Sequence, residues 1–319
     1  MRFTTLLSAM ALLPVSACIA DAPAYAPLQA AESNSAQPTD ILTPVRIAEI
    51  LSADDMQGRL AGEEGASKAR KFLVEQLRRR GLTVSEQGFT FLNSQGEVKN
   101  GINLLARISG KNSASAMVIT AHYDHVGIID GETYNGASDN ATGVAGAFAI
   151  ADQFLAEMPE NDVIIALLDA EEPGLFGAKT FVKQRAFIGS DIAFNINLDM
   201  IAGYEQDALY ASGSYHNPQL LPLLTTLAQD APINVKLGHD RPEQGADDWT
   251  LLSDHGPFHD EGIAFIYFGV EDHKYYHKPG DTFDTLPKEV FAGALRTVVM
   301  AAQAIDKKLE TAATKPDED

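Results

Sequence analysis

The stretch Val163-Ile164-Ile165-Ala166-Leu167-Leu168-Asp169-Ala170-Glu171-Glu172-Pro173-Gly174 runs through six apolar residues without interruption and then stops at an acidic turn. No polar residue interrupts the run. This predicts a strand covered on both faces, as in a parallel sheet held between helices. Such a sheet presents its ligand site at the carboxyl ends of its strands, which is where the acidic turn falls. Glu171 and Glu172 are adjacent and repel each other, so a cation is expected to hold them together.

Outward from this turn, other chemistry-bearing residues sit in matching places. Residues 117–121 form a short apolar run that leads into His122-Tyr123-Asp124-His125, and residues 192–198 lead into Asp199-Met200. Asp139 lies in the turn Gly136-Ala137-Ser138-Asp139-Asn140-Ala141-Thr142-Gly143, and His277 in Tyr275-Tyr276-His277-Lys278-Pro279-Gly280-Asp281-Thr282. In chain order His122, Asp139, Glu172, Asp199 and His277 are all residues of metal-ligand type. Two imidazoles and three carboxylates suit two Zn²⁺ ions that share one bridging carboxylate. Asp139 is placed to bridge, although its local sequence taken alone reads as a helix N-cap. Asp124 is expected to orient the ring of His122, and His125 only to form hydrogen bonds. Glu172 as a ligand and Glu171 as the general base would satisfy the need for a cation at this acidic pair, the alternative being a solvated acidic turn. Tyr276 either donates a hydrogen bond to the developing oxyanion or simply packs beside the site. Asp281 is the expected partner of His277.

Strands and helices alternate through the remaining chain. Strands are expected at residues 84–91, 103–108, 117–121, 163–168, 192–198 and 263–268. Helices are expected from Thr43-Pro44, where a cap precedes a proline at the first helical position, and at 66–80, 143–155, 176–184 and 290–309. The 66–80 segment is amphipathic and stops at Gly81. This alternation predicts an α/β fold with a largely parallel sheet covered on both faces. No internal repeat or long insertion divides the chain.

The 319 residues carry a formal net charge of -20. That balance argues against nucleic-acid binding, which needs clustered Lys and Arg. Residues 1–17 read as a signal peptide, with Arg2 followed by an apolar core too short to span a membrane. Cys18 is the only cysteine and follows Val15-Ser16-Ala17. This context resembles a bacterial lipobox and implies a lipid anchor on Cys18, hence an exported protein at the periplasm or cell surface, at the outer membrane in a Gram-negative organism; the alternative is a soluble secreted protein cleaved near Ala17 or Ala20. Residues 18–40 read as a flexible tether, 41–310 as the folded domain, and 311–319 as a disordered acidic tail.

The joint order of these motifs resembles the di-zinc aminopeptidase family. That family also contains glutamate carboxypeptidases, glutaminyl cyclases and the transferrin receptor ectodomain. The likeness spans about residues 51–309. It includes the lead-in Leu51-Ser52-Ala53-Asp54-Asp55-Met56-Gln57-Gly58-Arg59 and the segment Ser253-Asp254-His255-Gly256-Pro257-Phe258. The resemblance implies a three-layer α-β-α sandwich around a mixed, largely parallel sheet. It implies two Zn²⁺ per chain, with His122 and Asp199 on one, Glu172 and His277 on the other, Asp139 bridging them and Glu171 as base. The implied substrates are peptides with free amino termini. A glutaminyl cyclase is the alternative enzyme, although such enzymes commonly have Trp at the position of Tyr276. A non-catalytic binding ectodomain is the alternative of another class. Members of that kind lose ligands or the base, and all six of those residues are present here.

Overall fold

Both faces of the strand at residues 163–168 are covered, as its unbroken apolar run predicts. The computed structural model describes Leu28 and residues 41–203 and 208–313. Among these residues the strands are β1 (Val84–Leu92), β2 (Val98–Ile108), β3 (Asn112–His122), β4 (Ile128–Ile129), β5 (Glu132–Thr133), β6 (Asn161–Leu168), β7 (Asp191–Leu198), β8 (Ala208–Ser212), β9 (Asn234–Leu237) and β10 (Phe265–Gly269). An 8-stranded sheet runs in the order β1-β2-β6-β3-β7-β10-β8-β9, and β4 and β5 pair as a separate hairpin. Its centre, β6-β3-β7-β10, is parallel throughout. Antiparallel pairs, β1–β2, β2–β6 and β10–β8, flank that centre.

The helices are α1 (Pro44–Leu51), α2 (Glu64–Arg79), α3 (Gly143–Ala156), α4 (Phe176–Lys183), α5 (Leu221–Asp230), α6 (Gly256–Asp260) and α7 (Lys288–Ala313). They cover both faces, because central strands alternate their apolar side chains between two cores. Val163, Ile165 and Leu167 join Phe148 of α3, Leu73 of α2 and Phe291 of α7. Ile164, Ala166 and Leu168 join Phe181 of α4 and Phe258 of α6. Small residues bring α3 close to the sheet. A Cβ on Gly146 would lie 3.0 Å from the Leu198 and Ile201 side chains. The architecture is the expected three-layer sandwich.

Several boundaries differ from the sequence reading, for physical reasons. The outer half of β2 pairs with β1 at the sheet edge. Polar residues are tolerated there, so no apolar run marks it. Asn93 closes this hairpin, its Oδ1 accepting from the amides of Gln95 and Glu97. The strand expected to be apolar over 192–198 contains Asn195 and Asn197, both fully buried. The short strands β8 and β9 and helix α5 were not anticipated, and α7 continues past residue 310 to Ala313. The predicted leader 1–17, Cys18 and residues 314–319 lie outside the described residues. Leu28, within the stretch read as a tether, is buried, and its N–H donates to Phe187 O at 3.3 Å.

Candidate metal centre

Four adjacent parallel strands deliver the chemistry to one edge of the sheet. His122 is the last residue of β3, Glu171 and Glu172 follow β6, Asp199 follows β7, and His277 lies on the segment beyond β10. The chain bends sharply at these exits. Ala170, Met200 and His277 have φ of 57°, 56° and 49°. Left-handed backbone at a non-glycine residue is costly and tends to collect at functional sites.

The donors form two groups. His122, Glu171 and Asp199 make one, and His125, Asp139, Glu172 and His277 the other, each with its ligand atoms within 4.8 Å of one another. His122 Nε2 lies 3.2 Å from Asp199 Oδ1 and 3.3 Å from Asp139 Oδ1. His277 Nε2 lies 3.1 Å from both Asp139 Oδ2 and Glu172 Oε2. Asp139 therefore turns one oxygen toward each group. It is not the cap of α3. Asn140 performs that work, accepting from the Gly143 amide at 2.9 Å. Despite its short contacts, buried His277 Nε2 makes no hydrogen bond. Nitrogen and oxygen lone pairs aimed into one gap, rather than at each other's protons, fit a bound cation.

Surrounding groups hold these donors. The Asp124 carboxylate is 3.7 Å from His122 Nδ1, and the ring's hydrogen bond there is to the Asp124 backbone carbonyl at 3.3 Å. The carboxylate accepts from the amides of Glu171 and Glu172 at 3.1 and 3.3 Å, which ties β3 to the acidic turn. Asp281 accepts from the amides of Ser138 and Asp139, so its carboxylate anchors the Asp139 turn. His125 hydrogen-bonds Glu172 Oε1 through Nδ1 at 2.7 Å. Ser253 Oγ donates to Asp199 Oδ2 at 2.7 Å and accepts from Asn197, which itself accepts from Thr120. The buried asparagines of β7 thus belong to a network that ends on Asp199.

Arg59 is the main support that the sequence reading did not assign. It is fully buried and donates to the carbonyls of Leu51, Tyr123, Asn135, Gly136 and Asp139. Burial lowers its pKa to about 10, opposed first by Asp139 and Asp281. A single arginine after a glycine carries no periodic signal of such a role. Its position in the Gly58-Arg59 lead-in was the only available cue.

The field of the site is strongly negative. Desolvation pushes Glu171 well above the ordinary glutamate range; His122 opposes this, while Asp199 and Asp254 add to it. Burial acts against charge on Asp139 too, but the imidazoles of His125, His122 and His277 outweigh it and hold its carboxyl well below the usual value. Burial works against charge on His277, but the carboxylates of Asp139 and Glu172, each 3.1 Å from Nε2, raise it to about 10. Asp254 is fully buried and raised to about 8, chiefly by desolvation. Clustered carboxylates that draw positive charge onto neighbouring imidazoles are the surroundings in which a divalent cation gains most.

Comparison with known proteins bears on the fold and the family. A vacuolar membrane protease from Schizosaccharomyces pombe is 32% identical over 117 residues, 36% of this chain but only 13% of that protein. The fold resembles that of a zinc aminopeptidase from Bacillus subtilis, with TM-score 0.67, 15% identity, and coverage of 84% of this chain and 96% of that one. It equally resembles a glutaminyl cyclase from Fimbriiglobus ruber, with TM-score 0.65, 18% identity, and coverage of 86% and 96%. At such identities the likeness speaks for the fold alone. The sequence matches peptidase family M28 over residues 103–302, from β2 to within α7, and the chain belongs to that family.

Proposed function

We propose that this M28 hydrolase is a zinc-dependent aminopeptidase that removes amino-terminal residues from peptides, with two zinc ions held by His122, Asp139, Glu172, Asp199 and His277. The observation that carries the reading is the placement of Asp139, one oxygen toward each donor group. Bound there, zinc supplies Lewis acidity, which makes water a nucleophile at neutral pH and polarises the scissile carbonyl.

The chain's own residues do the rest. Glu171 accepts the proton of the attacking water and passes it to the leaving amine. Asp124 fixes the backbone of both glutamates, so the base keeps its aim. Tyr276 stacks on His277 with ring centroids 4.0 Å apart, which places its ring beside the donors. Burial, then Asp139 and Glu172, raises its pKa, so the hydroxyl stays a donor for the oxyanion. A cavity of about 600 Å³ opens beside Asp199 and Tyr276, lined also by Asp247, Glu271 and Asp272. Its carboxylates suit a protonated α-amino group.

Glutaminyl cyclase is the second reading, favoured by Asp254-His255-Gly256-Pro257-Phe258 and by the glutaminyl-cyclase fold match. One panel separates the two. Free-amine aminoacyl substrates, their acetylated forms and glutaminyl peptides are assayed with and without chelator. Chelator-sensitive cleavage of the free-amine substrates alone supports the aminopeptidase. Cyclisation of glutaminyl peptides without cleavage overturns it. Export and lipid attachment at Cys18 belong to the same proposal. Wild-type protein that fractionates as soluble, or whose first residue is not modified Cys18, would remove them.

A further inference from the structure

Two cavities border the donor groups, and their chemistry differs. The first, on the Asp199–Tyr276 side, has carboxylates in its wall and no lysine or arginine among the described residues that line it. The second, about 690 Å³, borders Glu172 and His277; Leu60, Leu92, Ile128 and Ile129 form an apolar part of its wall, and Asn93, Ser94, Gln95 and Lys99 a polar part. Its one lysine, Lys99, is paired with Glu63 at 2.9 Å and Glu97 at 3.3 Å. A peptide cleaved at the donors must lie across both cavities. Its cationic amino end fits the first cavity, which leaves the second for the residues beyond the scissile bond.

The wall of the second cavity is unusual for a solvent-facing surface. Leu60, Leu92, Ile128 and Ile129 are 39, 56, 51 and 43% exposed. Isolated exposed apolar residues need no explanation, but a contiguous set beside polar chemistry marks a binding surface. This wall is also built to keep its shape. Ile128 and Ile129 form one strand of a two-residue hairpin whose Asp130 and Gly131 have φ of 52° and 83°, the left-handed pair that a tight hairpin turn requires. At its base Gly127 N donates to Gly58 O at 2.9 Å, and Tyr134 N to Gly127 O at 3.0 Å. A Cβ on Gly127 would lie 2.7 Å from Leu60 Cβ. The missing side chain lets Leu60 pack against the hairpin as one surface.

We propose that this groove binds an apolar residue on the leaving side of the scissile bond, so that the enzyme selects substrates by their second residue as well as their first. This rests on the aminopeptidase reading. The test uses the full zinc-loaded chain and peptides that share one first residue but carry Leu, Phe, Ser or Asp second. Partial burial of a large apolar side chain predicts roughly tenfold higher kcat/KM for Leu and Phe. Ile128→Ser combined with Ile129→Ser should abolish that preference. The matching aminoacyl amide, whose leaving group is ammonia and reaches no groove, should be hydrolysed at the wild-type rate. Should the hairpin variant fail to fold, Leu92→Ser at the end of β1 repeats the test. Equal kcat/KM across the second residues, or a preference that survives both variants, overturns the proposal while amide cleavage keeps the parent reading intact. Failure to cleave any free-amine substrate, amide included, overturns the parent reading and this inference with it.

Discussion

The two donor groups are built from different materials. His122, Glu171 and Asp199 sit at or just past the ends of three neighbouring parallel strands, where ladder hydrogen bonds set the backbone. Asp139 and His277 of the other group lie on connections instead, and His277 keeps 37% of its side chain exposed. Position at a strand end follows from the sheet itself. Position on a connection has to be made by other side chains, here Arg59, Asp281 and His125. The strand-end group is therefore the rigid reference, and the connection-borne group the part most open to perturbation.

The largest expected effect tests the role of Glu171 within the rigid group. Its carboxylate lies close enough to His122 and Asp199 to be a donor itself. As the base, Glu171→Gln should lower kcat by about 10²–10⁴-fold while the zinc content, read by elemental analysis, stays at the wild-type level. Loss of zinc together with turnover would make Glu171 a ligand and leave the base unassigned.

Next is Tyr276→Phe, expected to lower kcat roughly 10²-fold with KM little changed, because an oxyanion donor acts only in the transition state. Its ring should stay stacked on His277, so metal binding should not move. Unchanged kcat would return Tyr276 to the role of a packing residue and leave both donor groups intact.

The same contrast explains what could be read from the sequence. Strand ends were legible because burial on two faces demands unbroken apolar runs, and a charged residue just beyond such a run stands out. Residues 163–168 and 117–121 announced Glu171, Glu172 and His122 in that way. Arg59 and Asp281 were not legible in their roles. Their partners are backbone carbonyls and amides up to 143 residues away, and no local pattern encodes those distances. Asn195 and Asn197 run against the apolar rule, because a polar network inside the sheet satisfies them. The hairpin over Ile128–Ile129 and Glu132–Thr133 did carry a local signal, Asp130-Gly131 between short extended segments, but four paired residues are too few for periodicity to register.

Asp281→Asn probes the connection-borne group directly. The carboxylate accepts from two successive amides, Ser138 and Asp139, at 2.8 and 3.2 Å. An asparagine presents one acceptor oxygen and an NH₂ that opposes the second amide. The Asp139 turn should loosen. Zinc at the Asp139–Glu172–His277 group should then bind about 10- to 100-fold more weakly, the range seen when a supporting partner of a metal ligand is lost. Titration with a chelator should remove one zinc ion well before the other. Release of both in a single step would show that the two groups do not differ in the way their construction implies.

Arg59→Lys is expected to have the smallest effect, and it bears on what joins the two groups. The guanidinium donates to Tyr123 O, between His122 and Asp124, and through its other nitrogens to Asn135, Gly136 and Asp139 on the connection. It is the physical link between a strand end and the Asp139 turn. Lysine keeps the charge but has three donors at one point, not five spread over a plane. At least two buried carbonyls would lose their partner, at about 1 kcal/mol or more each. The expected loss is about 2 kcal/mol, seen as a fall in Tm of roughly 4 °C or more for a domain of this size. Zinc at the strand-end group should be retained, because His122 and Asp199 have their own ladder and Ser253 contacts. A loss of stability with unchanged order of zinc release would mean that Asp281 alone positions Asp139. Equal weakening at both groups would mean that Arg59 holds the strand end as firmly as the turn, and that the rigid reference depends on the same clamp.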